Sequence, residues 1–110
     1  MAWHTRPLRD LAHVRTGDKG DTSQISVIAH DPADYPLLLA QVTVERVVAH
    51  LPGLSVRRAL RYELPGLGAL NLVLEGALTG GVTRSLALDA HGKTLGMQLL
   101  DLEIVTGQGA

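Results

Sequence analysis

Two neighbouring stretches of the chain alternate between apolar and polar residues. In 56–64, Leu60, Tyr62 and Leu64 fall on one side, and Arg57, Ala59, Arg61 and Glu63 fall on the other. In the next stretch Leu70, Leu72 and Leu74 alternate with Asn71, Val73 and Glu75. A period of two predicts strands with one buried and one wetter face. Pro65-Gly66 and Gly68 predict the turn between them. Leucines four apart leave a helix over 69–78 as the alternative, and we favour the strand.

The N-terminal third predicts two more strands. Residues 8–15 mix apolar and polar positions, and 24–29 are rich in β-branched side chains that suit a pleated surface. The loop Arg15–Ser23 that joins them has two glycines and four charged residues. We expect residues 1–6 and 106–110 to be loose termini of a single domain spanning 1–110.

The middle of the chain has helix signals. Asp31-Pro32 is a helix start, and Pro36 places the beginning of a helix near itself. Thr43 is a candidate cap for the next helix, which carries a stripe at i, i+3, i+4 and i+7, formed by Val44, Val47, Val48 and Leu51. Pro52-Gly53 ends that helix.

The C-terminal third is the least regular. Thr79-Gly80-Gly81 breaks the chain, 82–88 predicts a strand, and 90–93 predicts a tight turn. Thr94 is a candidate cap for a last helix ending near Leu100, after which Leu102, Ile104 and Val105 close the domain; a strand over 97–105 is the alternative. Together these elements predict an α+β fold, with a largely antiparallel sheet of four to five strands and two or three helices on one face. We expect Asn71, Val73, Arg57 and Arg61 on the sheet face that the helices leave open, where a second copy or a larger protein docks; the alternative is a solvated face without a partner.

Composition narrows the function classes. The chain has 110 residues, a net charge of −1, no cysteine, no phenylalanine, and 45% hydrophobic residues. The core must therefore be aliphatic. Without a basic excess or aromatic platforms, nucleic acid is not an expected partner. Without cysteine there is no disulfide or thiol nucleophile, which fits a reducing, cytoplasmic compartment. No apolar run approaches the ~18 residues of a membrane span, so we expect no membrane partner.

The charged loop Arg15–Ser23 is the first candidate site. Gly17 and Gly20 permit backbone conformations in which successive N–H groups form a nest for an anion, with charge from Arg15 and Lys19 and hydroxyls from Thr22 and Ser23. The spacing fits neither a P-loop nor an EF-hand. The structural alternative is that Asp18 and Asp21 bond to their own turn and pair with Lys19 or Arg15.

The second glycine-rich break supplies the other half of this candidate site. Arg84 lies on the apolar side of the predicted strand 82–88 and needs a partner, which is Asp18, Asp21 or Glu75, or else a ligand carboxylate or phosphate. Gly80 and Gly81 allow close backbone approach. We expect the two glycine turns to meet at one rim of the sheet, with Lys19 and Arg84 close together.

Catalytic and metal signals are weak. No histidine pair has helical metal-site spacing, so no metal or cofactor is expected. His13, on the strand leading into the charged loop, is the one acid–base candidate, and the serines lack a nucleophile-elbow sequence. The alternative for His13 is a partly buried structural histidine, and no other residue is a catalytic candidate.

Three blocks, in order, resemble one family. They are Leu11-Ala12-His13 leading to Arg15-x-Gly17-Asp18-Lys19-Gly20-Asp21, then Tyr62-Glu63-Leu64-Pro65 with Ala69-Leu70-Asn71, then Gly80–Leu86 with Asp89-x-His91-Gly92-Lys93. They are similar to the C-terminal domain of acyclic terpene utilisation proteins of the AtuA type, over roughly 8 to 105. The resemblance implies a ferredoxin-like α+β domain and a link to catabolism of acyclic terpenes or branched acyl-CoA compounds.

The resemblance also shapes the expected role. Larger relatives carry a long N-terminal domain before this one, so we expect a non-catalytic accessory subunit that works with a larger AtuA-type protein, as a homo-oligomer, or both. The alternative is a small ligand-binding protein or enzyme for a CoA thioester or phosphate-bearing compound. In that case Lys19, Arg84 and the Gly17–Gly20 nest bind the anion, and His13 moves a proton.

Overall fold

Two antiparallel sheets and three helical segments make up the described part of the chain. The computed structural model describes residues 3–51, 56–76 and 96–108. The strands and helices, in chain order, are β1 (Trp3–Pro7), β2 (Ala12–Lys19), β3 (Thr22–Ala29), α1 (Tyr35–Gln41), α2 (Val44–His50), β4 (Arg58–Leu64), β5 (Ala69–Glu75) and β6 (Glu103–Gln108). Residues 96–99 form a further helical turn.

The main sheet has four antiparallel strands in the order β2-β3-β5-β4. β2–β3 and β4–β5 are hairpins. The antiparallel pairing of β3 with β5 joins the two hairpins in the middle of the sheet. The strand predicted over 69–78 is confirmed for β5, and the helical alternative is wrong there. In the turn before β5, Gly68 has φ +60, a conformation that glycine adopts without strain.

The chain termini pair with each other. β1 and β6 form a two-stranded antiparallel sheet with Thr5 opposite Val105. Residues 3–6 and 106–108 are therefore strand, and the prediction of loose termini is wrong for them. The predicted first strand is also shifted, because 8–10 form a 3-10 turn whose Leu8 N–H donates to the Leu102 carbonyl at 2.8 Å.

The helices begin where their capping residues predict. The Asp31 carboxylate accepts from the Ala33 N–H at 3.0 Å and caps the 3-10 turn Pro32–Asp34, after which α1 begins with Pro36 in its first turn. The Thr43 hydroxyl accepts from the Arg46 N–H at 3.2 Å and caps α2. In the predicted stripe, Val47 and Leu51 are buried and Val44 and Val48 half-buried. The apolar face of α2 therefore points into the core.

The core lies between the main sheet and the helices. Leu70, Leu72 and Leu74 of β5 and Ile25 and Val27 of β3 have no solvent exposure. Strand alternation places all five on one face, which we call the helix side. The described core is aliphatic, as the composition predicted, except for Tyr35, which is 8% exposed and whose hydroxyl donates to the Ala69 carbonyl at 3.0 Å.

The register of β4 contradicts the prediction that Arg61 lies on the open face. Arg61 is opposite Leu72, so both belong to the helix side, and its guanidinium donates to the Leu39 and Val42 carbonyls at 2.8 and 2.9 Å. Leu60 is opposite Val73 and takes the other face. Alternation within β4 is equally good for both orientations, and only the pairing with β5 decides between them.

The C-terminal segment is helical before it is extended. The helical turn 96–99 precedes β6, so the strand alternative over 97–105 is wrong for its first half. The predicted Pro52-Gly53 helix end, the strand 82–88, the turn 90–93 and the Thr94 cap lie outside the described residues. The predicted α+β class, with an antiparallel sheet and helices on one face, is confirmed.

Candidate functional site

The charged loop is a tight β-hairpin. β2 runs to Lys19 and β3 starts at Thr22, leaving a two-residue turn of Gly20 and Asp21. Gly20 has φ +63, as expected of glycine at the first position of such a turn. Arg15 to Lys19 are extended, so their successive N–H groups point to opposite edges of the strand and do not converge as a nest. The long loop expected over Arg15–Ser23 is wrong, because charged residues continue the strands.

Alternation divides the predicted ligand residues between two faces. Arg15, Gly17 and Lys19 lie on the side away from the helices, whereas Asp18 is opposite Ser23 on the helix side. The hairpin thus brings together four of the predicted residues, Arg15, Gly17, Lys19 and Thr22, and separates Asp18 from them.

Asp21 has a partner outside the loop. Its carboxylate accepts from Arg57 at 3.0 Å, and the Thr22 hydroxyl donates to it at 3.4 Å. The expected pairing of Asp21 with Lys19 or Arg15 is replaced by an ion pair to the segment just before β4. Asp21 therefore ties the hairpin tip to the opposite edge of the sheet.

We call the side of the main sheet away from the helices the open sheet face. Residues that are paired across the four strands form rows on this face, each read in the order β2, β3, β5, β4. Three complete rows are His13–Ile28–Ala69–Leu64, Arg15–Ser26–Asn71–Tyr62 and Gly17–Gln24–Val73–Leu60. Beyond the third row, Lys19 pairs with Thr22 on β2 and β3, and Glu75 pairs with Arg58 on β5 and β4. A Ser26 to Asn71 hydrogen bond of 3.4 Å joins the centre. α1 and the helical turn 96–99 contact the opposite face, through Arg61 and through Thr16 and Val14 respectively.

The open sheet face has an apolar half and a basic half. Tyr62 is 50% exposed and Leu64 40%, and Leu60 and Val73 beside them are half-buried. The β2 edge carries the exposed Arg15 and Lys19, which have no ion pair among the described residues. Arg58 is 3.9 Å from Glu75. The face therefore has exposed apolar side chains at its β4 edge and, at its β2 edge, positive charges that no described residue pairs with.

Sequence reasoning missed the role of the β4 residues. It placed Asn71 and Val73 on the open face correctly but assigned Leu60, Tyr62 and Leu64 to the covered one. The signal was the short turn at Pro65–Gly68, because closing the hairpin with Leu64 opposite Ala69 forces Tyr62 opposite Asn71.

His13 stacks on another histidine. The rings of His13 and His30 are 5.5 Å apart at 27°, and His30 Nε2 lies 3.1 Å from the Arg9 carbonyl. A general base needs a group that orients it, and no such bond to His13 occurs within the described ranges. The acid–base role of His13 stays a prediction.

The remaining predicted residues are not brought together in the described structure. Gly80, Gly81 and Arg84 lie outside the described residues, so their meeting with Lys19 stays a prediction. Ser23 is 1% exposed, and its hydroxyl has no hydrogen-bond partner among residues 3–51, 56–76 and 96–108. Over the same ranges no three acidic or histidine side chains cluster as metal ligands.

Grooves occur away from the predicted site. One of about 520 Å³ is lined by Arg9, Met97, Gln98, Leu100 and Asp101. Another of about 470 Å³ lies between α2 and β4, beside Val44, Val48 and Ala59. Neither contains a residue of the predicted anion site, so the open sheet face remains the place where predicted residues converge.

A one-sided antiparallel sheet backed by two short helices defines a small α+β domain of the ferredoxin-like class. The chain belongs to the AtuA ferredoxin-like domain family, whose model matches residues 6–105. Neither the curated proteins nor the solved structures contain a match to this chain. In the described ranges no helix has the length and apolar content needed to cross a membrane.

Proposed function

We propose that the protein is a non-catalytic accessory domain that docks a larger AtuA-type protein through its open sheet face, in the catabolism of acyclic terpenes or branched acyl-CoA compounds. The exposure of Tyr62 and Leu64, side by side on β4, carries this proposal. With the half-buried Leu60 and Val73 they form one apolar surface, and contiguous exposed apolar surfaces often mark an interaction site. A cytoplasmic location fits the absence of cysteine.

The charges favour a larger partner over a second copy. The open sheet face carries three cationic side chains, Arg15, Lys19 and Arg58, and one carboxylate, Glu75. Two copies packed face to face would double the excess of positive charge, whereas a partner with acidic groups would neutralise it. A homo-oligomer through this face is the other outcome that the test resolves.

Co-expression with a larger AtuA-type protein tests the docking. We expect a complex by size exclusion with light scattering, and a loss of about tenfold or more in affinity for a Tyr62→Asp, Leu64→Asp variant, because both side chains leave solvent on docking. Met97→Asp is the matched control, since Met97 is also 66% exposed but lies on the helical turn. A complex that tolerates the β4 variant, or no complex at all, refutes the proposal; a dimer of the chain alone that the variant dissociates supports the homo-oligomer.

A second candidate is a small anion-binding protein for a CoA thioester or phosphate-bearing ligand. The observation that favours it is the pair of cations on one face of β2, Arg15 and Lys19, which form no ion pair with any part of the chain that the structure describes. Thermal shift with CoA, acyl-CoA and phosphate tests it, and a Lys19→Ala, Arg84→Ala variant is expected to lose the shift while keeping its fold. The absence of any shift with the unmodified protein would exclude this candidate.

A further inference from the structure

Neither the backbone conformation nor the packing around Gly17 requires a glycine at this position of β2. Gly17 lies in the interior of β2 in regular register with Gln24, its φ is not positive, and a Cβ built on it would meet nothing within 4 Å. Glycine weakens a strand, and where no bulge or turn requires it, it marks a place where another group approaches the backbone. The open space above Gly17 is therefore a place for a ligand group.

Two cations flank this space. Arg15 and Lys19 lie two residues to either side of Gly17 on the same face, about 6.7 Å away along the strand. Both are exposed and lack an ion pair among the described residues, and the exposed Gln24 amide lies on the adjacent strand. Two cationic side chains on either side of a glycine backbone suit the binding of an oxyanion, either a carboxylate or a phosphate.

The row that begins at Gly17 continues into apolar residues. Gln24 is followed by Val73 and Leu60, and Tyr62 stands in the neighbouring row. Three strand spacings make this path about 14 Å long. An oxyanion over Gly17 can therefore carry an apolar chain that lies against Val73 and Leu60.

We propose that the open sheet face binds an amphipathic anion, with its oxyanion head over Gly17 between Arg15 and Lys19 and its apolar tail across Val73 and Leu60. This inference rests on the second candidate function, anion binding, and assigns the anion-binding site to a different part of the molecule. The anion site is on the sheet face, not in a backbone nest at the hairpin tip, and it selects ligands by both head and tail.

Amide chemical-shift titration of the whole protein with four probes tests the inference. Octyl phosphate and octanoate carry both parts, inorganic phosphate carries the head alone, and 1-octanol carries the tail alone. We expect at least one of the two amphiphiles to bind about tenfold or more tightly than either single-part probe, because charge and apolar burial both contribute. Shifts are expected at Gly17, Gln24, Val73 and Leu60. Which amphiphile binds more tightly identifies a phosphate or a carboxylate head.

Two matched pairs of variants locate the site. Gly17→Val is expected to fold with an equal or higher melting temperature and to lose binding about tenfold or more, whereas Gly107→Val, at another strand glycine with open space around its Cβ, keeps it. Gly17→Ala, the smaller change, is expected to show a partial loss. Lys19→Gln is expected to lose about tenfold, and Arg6→Gln, on the separate β1–β6 sheet, to lose nothing.

Three results would overturn the inference: phosphate or 1-octanol alone binding as tightly as the amphiphiles, Gly17→Val binding unchanged, or no binding by either amphiphile. None of these depends on a protein partner, so they are distinguishable from a failure of the docking proposal, which the co-expression experiment decides with the β4 variant.

Discussion

Arg61 shows how a single residue can be misassigned by pattern alone. Its side chain is 21% exposed, and its guanidinium reaches the Leu39 and Val42 carbonyls at the C-terminal end of α1. The last carbonyls of a helix lack internal partners and form the negative end of its dipole. A positively charged fork on the neighbouring strand satisfies them, so this arginine fastens α1 to β4.

We expect Arg61→Ala to lower the free energy of unfolding by about 1.5–3 kcal/mol, the usual contribution of hydrogen bonds to a charged group. Urea denaturation measures it. Arg58→Ala is the control, because its side chain is 65% exposed and its ion pair to Glu75 is long, so its loss is expected to stay within about 1 kcal/mol. Equal losses for the two variants would contradict the capping role of Arg61.

At the scale of elements, the register of a hairpin determines which face is core. β4 and β5 both alternate, and neither strand by itself says which side meets the helices. The pairing of Leu64 with Ala69 places Leu60 and Leu64 on the same sheet face as Asn71 and Val73, away from the helices. A shift of one residue would reverse every side chain of β4.

A pair of leucine truncations tests this assignment. Leu72→Ala removes a fully buried side chain on the helix side and is expected to cost about 2–5 kcal/mol of unfolding free energy. Leu64→Ala removes a side chain that is 40% exposed on the open sheet face, and we expect a loss under about 1 kcal/mol. Chemical denaturation measures the unfolding free energy of both variants. A larger decrease for Leu64→Ala than for Leu72→Ala would show that the Leu64 face, not the Leu72 face, packs in the core.

At the scale of the whole molecule, one glutamine connects α1 to the small sheet formed by the termini. The Gln41 amide donates to the Val105 carbonyl at 2.8 Å and accepts from the Val105 N–H at 2.7 Å. Arg46 adds bonds to the Gln41 and Glu103 carbonyls. The small sheet is therefore held to the helices by side chains bonding to its backbone.

Gln41→Met keeps the length of the side chain and removes both bonds. We expect a loss of about 1–3 kcal/mol, and faster hydrogen exchange at the Val105 amide, because a half-buried backbone N–H and carbonyl both lose their partner. Gln24→Met, an exposed glutamine on β3, is the control and is expected to leave both quantities unchanged. Unchanged exchange at Val105 in Gln41→Met would show that the β1–β6 pairing alone protects this strand.

The sequence predicted much of the fold because its signals were local. Capping side chains, proline positions and strand periodicity act within a few residues, and Thr43, Pro36 and the leucines of β5 behave as those rules require. The charged hairpin was underestimated, because Arg15, Asp18 and Lys19 are polar enough to resemble a loop yet extend the strands.

Tertiary structure alone decided which residues share a surface. The cations of β2 and the aromatic and leucine residues of β4 are more than forty positions apart in the chain, and they meet on one face only because β3 and β5 pair between them. The joining of Asp21 to Arg57 and of Thr5 to Val105 likewise depends on contacts between distant segments. The local sequence determined where helices and strands form. The long-range pairing register determined which residues share the open sheet face, because the periodicity of a strand shows that its side chains alternate but not which side faces the core.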